Sequence, residues 1–175
     1  MKDKGIIRLS TEIFVALLIV VFSFNIFNNG ETINKAFAYN SGNRQIMLNV
    51  IRPLDLSNIF PITDSEALNN YEKAQYQIIN NESNNVNYKI IYRISRGIDF
   101  NWFNYYLKIY DEEKIDKFIN QNIRENIDYI DIILYEGTIR KNEKIDFEYL
   151  MWLDYSVGNE AQNKTFNGEI IIETY

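Results

Sequence analysis

The sequence predicts a mainly β protein: an antiparallel β-sandwich with one helical insertion, preceded by an N-terminal hydrophobic helix. Three observations carry that prediction. From Arg44 onward the chain breaks into short segments in which apolar and polar residues alternate with the period of a strand. Thirteen Tyr and eleven Phe against two Pro and seven Gly suit a pleated, half-buried surface. Residues 13–27 form an apolar run without a charge, with Lys2, Lys4 and Arg8 just before it.

That run comprises Ile13, Phe14, Val15, Leu17, Leu18, Ile19, Val20, Val21, Phe22, Phe24, Ile26 and Phe27, with few polar interruptions. It is costly to leave in water, and the basic flank keeps its start on the cytoplasmic side. The expected location is therefore the cell membrane with the C-terminal domain outside, or the cell surface if the segment is cleaved. Three readings stay open. A retained anchor would be short for the roughly 30 Å of hydrocarbon it must cross. A cleaved signal peptide would use Ala36 and Ala38 as its small-x-small site, ahead of Tyr39. A type IV pilin-like stalk would use Gly5 and the early Glu12, although that glutamate falls two positions later than the prepilin pattern has it. The domain plan is 1–30 as anchor or signal, 31–43 as linker and 44–175 as exported domain. The exported part is large enough for one cored domain. With no Cys it must be held by that core alone.

The elements follow in order. Ile46, Leu48 and Val50 share one face of a strand ended by Pro53. In residues 61–66, Thr63 or Asp64 is placed to cap a short helical turn reaching Ala67. Residues 74–80 and 86–94 read as a hairpin around 80–84, with Val86, Tyr88, Ile90, Tyr92 and Ile94 on one face. Residues 102–110 read as a further strand. Ile115, Phe118, Ile119, Ile123 and Ile127 then follow helical spacing, with Asp111, Glu112 and Glu113 at the positive end of the dipole. This is the helical insertion, over 111–127. Strands at 130–135, 144–154 and 169–174 complete the set, and Gly137 and Gly168 mark turns just outside strands. Trp152 lies on the opposite strand face from Tyr149 and Met151, and is expected to be buried beneath the 111–127 helix.

Several chemistries are excluded by residue type. No His and no Cys means no Ser-His-Asp triad, no HExxH zinc site and no thiol nucleophile. Asp128 with Asp131, or Asp146 with Glu148, can be nominated as acid/base pairs, but nothing singles them out among 24 acidic residues. Asp111, Glu112 and Glu113 lack calcium-loop spacing, and no phosphate-binding glycine motif occurs. A net charge of −6 and a pI near 4.8 argue against nucleic acid as a partner. No cofactor or metal is expected. Trp102 and Trp152 could stack sugars, but aromatics at strand spacing are more often core.

The C-terminal third carries a family resemblance. Its segments are Ile133-Leu134-Tyr135-Glu136-Gly137-Thr138-Ile139, then Tyr149-Leu150-Met151-Trp152-Leu153-Asp154, then residues 163–173 around Phe166-Asn167-Gly168. This pattern resembles small exported β-sandwich proteins of Gram-positive bacteria of the TasA/camelysin type. Residues 61–66 and 76–81 fit the same order. The resemblance implies a jelly-roll-like sandwich, and in some members polymerisation into biofilm-matrix fibres by lending an N-terminal strand to the next subunit. The metallopeptidase label of camelysin-like members is not carried over, because this chain has no His. The expected function is a non-enzymatic cell-surface or matrix protein acting by self-association or envelope binding. The alternatives are a pilin-like minor subunit and an envelope hydrolase using carboxylates. The expected partners are the membrane, through the N-terminal helix, and a second copy or another envelope protein.

Overall fold

The computed structural model describes residues 37–38, 46–55, 60–97, 99–158, 161 and 166–175. The apolar run 13–27 and Ala36 lie outside these residues, as does the side chain of Ala38. Among the described residues the chain is mainly β, built from two sheets that face each other across one core.

The front sheet contains β1 (Phe37–Ala38), β11 (Gly168–Thr174), β5 (Val86–Ser95), β9 (Tyr129–Ile139) and β8 (Asn122–Glu125), in that spatial order. The back sheet runs β2 (Ile46–Arg52), β4 (Ala74–Asn80), β10 (Lys144–Asp154), β6 (Phe103–Ile109) and β7 (Glu112–Lys117). A short β3 (Pro61–Ile62) lies parallel to the end of β10. Pairing is antiparallel except for β3 and for β1, which runs parallel to β11 with Phe37 opposite Ile171.

Alternation places the core. In β4 and β5 every second side chain turns inward, and Tyr88, Ile90, Tyr92 and Ile94 are all buried. Tyr149 from the back sheet meets Tyr92 from the front sheet at 5.8 Å between ring centres. Gly168 is the first residue of β11, and a Cβ there would come within 2.2 Å of the Tyr92 hydroxyl oxygen. Glycine is required there by this close approach. Gly137 also departs from the turn expectation, since it lies inside β9, where a Cβ would meet the Tyr135 ring at 2.7 Å.

Two further expectations are corrected. Residues 111–127 form no α-helix: β7 and β8 are strands, joined through a single 3-10 turn at Phe118–Asn120. The helical spacing was coincidental, since the residues it groups do not share a face. Phe118 is fully buried, while Ile119 and Ile127 are 52% and 86% exposed. Isoleucine and asparagine are weak helix formers, so pairing with β6 and β9 outweighs the local pattern. Phe118 plugs the end of the core against Tyr92, Phe103 and Tyr105, at 5.4 to 5.7 Å.

The strands around residues 80–84 do not form a hairpin either. β4 pairs in the back sheet and β5 in the front, so the chain crosses between layers at this corner. Asn80, fully buried, holds the corner. Its side-chain amide donates to the carbonyls of Asn84 and Arg140 at 2.9 and 3.0 Å, and its Oδ1 accepts from the Glu82 backbone at 2.8 Å.

The one described α-helix is α1 (Asp64–Asn70), capped as expected by Thr63. Thr63 Oγ1 accepts from the Glu66 backbone at 3.3 Å, and the Glu66 carboxylate accepts from the Thr63 backbone at 2.9 Å. This helix, not the 111–127 segment, covers Trp152. The indole is 2% exposed among Ala67, Tyr106 and Leu150, and its Nε1 donates to Asp64 Oδ1 at 3.2 Å.

Candidate interaction surface

A sheet edge is a row of backbone groups free to pair, and its side chains decide whether anything does. In the front sheet, β8 is only four residues long and β1 only two. In the back sheet, β7 reads Glu-Glu-Lys-Ile-Asp-Lys, with charges at every position but one. Its Glu113 accepts from Lys108 at 2.8 Å, and its Lys117 donates to Asp154 at 2.6 Å. The opposite edge, β2, has seven residues and one charge, Arg52. Met47, Val50 and Ile51 there are 48%, 41% and 59% exposed. Ile51 sits in a bulge between Val50 and Arg52, where the ladder to β4 slips by one residue.

The outer face of the back sheet divides in two. One half lies under α1. The other is open and carries a polar row across the strands. Arg52 donates to Gln75 Oε1 at 3.2 Å, and Gln75 donates to Glu148 Oε1 at 3.2 Å. Lys108 stands opposite Glu148 in the β6–β10 ladder, and Gln77 donates to Asp146 at 2.8 Å. A shallow groove of about 310 Å³ runs here, bordered by Ile51 on one side and Tyr110 on the other. Tyr110 occupies the tight turn between β6 and β7 with φ at +55°, a conformation that favours glycine.

The nominated acid pairs take up different surroundings. Asp146 and Glu148 lie on the open face, each bonded to a glutamine. Asp131 is buried, accepting from Arg93 at 2.6 and 2.9 Å and from Arg124 at 3.2 Å, whereas Asp128 is exposed. Arg124 also bonds Glu173 at 2.8 and 3.0 Å, so this network ties β5, β8, β9 and β11 together. Around Trp152, Asn104 donates to Asp64 at 3.0 Å and to Asp154 at 3.1 Å, fastening α1 and its loop to the sheet. Lys117 and then Ser156 hold the Asp154 carboxyl well below the usual carboxylate range.

Neither tryptophan is a platform. Trp152 is buried, and Trp102 packs half-buried against the core from the 3-10 turn Phe100–Trp102. Asp111 falls in the β6–β7 turn, and Glu112 and Glu113 in β7, so none caps a helix. Among the described residues no group of three or more His, Cys, Asp or Glu side chains converges as a metal site. No helix among them is long and apolar enough to cross a membrane. The groove with Tyr110 was missed in the sequence, where the only available signal was an aromatic beside an acidic turn.

No family model, no curated protein and no solved structure matches the chain.

Proposed function

We propose that the chain is a non-enzymatic cell-surface or extracellular-matrix protein of a biofilm-fibre-like kind. Its exported domain is a jelly-roll-like sandwich of the TasA/camelysin type that acts by self-association. The observation that carries this reading is β2, a long edge strand with exposed apolar side chains and a single charge. Such an edge accepts a further strand, and a second copy supplies one of matching chemistry. β1, two residues of the 31–43 stretch, pairs with β11 of its own chain and closes that edge. Exchange of this pairing with β11 of a second copy is the head-to-tail assembly that the proposal adds.

The test is sedimentation of the purified protein over a range of concentrations, beside a variant lacking residues 31–43. Self-association in the full chain, reduced in the variant, is the expected result. A full chain that stays monomeric at high concentration would leave an anchored binding domain as the better reading. Intact mass of the membrane-associated protein reads the N-terminus directly: a start at Met1, Ile6 or Tyr39 corresponds to anchor, pilin-like stalk or signal peptide.

A further inference from the structure

We propose that the open half of the back sheet's outer face binds a neutral polyhydroxylated ligand, a short stretch of saccharide chain. This goes beyond self-association and does not depend on it. The groove of about 310 Å³ is at the small end of the range for small-molecule sites, about 300 to 1,000 Å³.

The chemistry of its floor selects the ligand class. Glu148 and Asp146 offer acceptors, while Lys108 and the Gln75 amide offer donors, from strands spaced about 4.8 Å apart. A cation entering the groove meets Lys108, and an anion meets two carboxylates. A neutral hydroxyl both donates and accepts, so a polyol satisfies both kinds of group without an opposing charge. The walls suit the other side of a sugar ring. Ile51, 59% exposed, presents apolar surface at one border, where the C–H face of a pyranose can pack, while Tyr110 at the other border turns its hydroxyl toward the buried Tyr88. The floor is also held in advance, with Gln75 on Glu148 at 3.2 Å and Lys108 on Glu113 at 2.8 Å.

The test is an NMR titration of the full chain with three neutral probes, cellotetraose, chitotetraose and maltotetraose, alongside spermine and heparin. Saturable shifts confined to β2, β4, β6, β10 and the β6–β7 turn with at least one neutral probe are expected, with affinity falling about tenfold or more in Glu148→Ala and in Asp146→Ala. Both side chains stand on the open face, and the thermal melt of each variant checks its fold. The proposal is overturned if no neutral probe binds, if only spermine or heparin binds, or if both folded variants bind like the parent. Sedimentation of the same samples reports self-association separately, so either reading can fail alone.

Discussion

The two edges of the back sheet have the same neighbours in kind and opposite chemistry. β7 puts a charge at five of its six positions, and four of those charges are engaged with Lys108, Asp154 and one another. β2 carries one charge in seven, and three of its apolar side chains stand in solvent. An edge that must remain single is guarded by charge, and β7 has that guard. On β2 the guards are the bulge at Ile51 and the single charge of Arg52. The difference teaches that exposure alone does not mark an interaction surface. Ile115 on β7 is 47% exposed, yet charged residues flank it on both sides.

The largest expected effect separates the centre of the sheet from either edge. Trp152→Ala should cost about 3–5 kcal/mol in urea unfolding, because it empties the space between β10 and α1. Ile51→Lys on the edge should cost under about 0.5 kcal/mol by the same measurement. A tryptophan loss below about 1 kcal/mol would break the contrast. Next, lysine at both Met47 and Ile51 should weaken self-association about tenfold or more, equivalent to about 1.4 kcal/mol, in sedimentation equilibrium. Unchanged association would move the interface away from β2. The reciprocal change, Glu113→Val with Lys114→Val on β7, should raise association in the same assay.

The smallest effect concerns how β7 is fastened. Asp154 is held ionised in the folded state below its ordinary value of 3.8, chiefly by Lys117. Its contribution to stability is therefore present above about pH 4 and declines as pH falls toward the lower folded value. With Lys117 half exposed the pair is worth about 1 kcal/mol or less. The stability gap between the parent and Asp154→Asn should narrow below about pH 4. A gap that is constant from pH 7 to pH 3 would mean the ion pair contributes nothing to the fold.

Strands whose pattern reflects burial on a sheet were legible from the sequence. Residues 144–154 alternate so cleanly that β10 falls on the expected bounds, and Thr63 announced its helix through the capping pattern. What the sequence could not show was which strand pairs with which. Asn80 to Asn84 looks the same as a turn whether the chain folds back or crosses to the other layer, and only long-range pairing decides. The false helix has a related origin, since a five-residue apolar spacing can arise by chance from two strands in different sheets. The strand pattern predicts a buried Trp152, whereas the apolar spacing of 111–127 predicts the wrong cover for it, since α1 lies over the indole. The open groove was illegible because it assembles Ile51, Gln75, Lys108, Tyr110, Asp146 and Glu148 from four strands and a turn.

The order of pairing also sets how fast this molecule can reach its native state. β5 cannot complete its ladders until β9 and β11 are in place, and β10 must find both β4 and β6. Those encounters close long loops before they are rewarded by contact, which places refolding on the order of milliseconds to seconds and well behind a helical chain of equal length. During that interval the apolar strands are exposed and have no disulfide to narrow their search. Chain concentration during refolding should then decide between folding and aggregation, and stopped-flow refolding by tyrosine and tryptophan fluorescence would time the window.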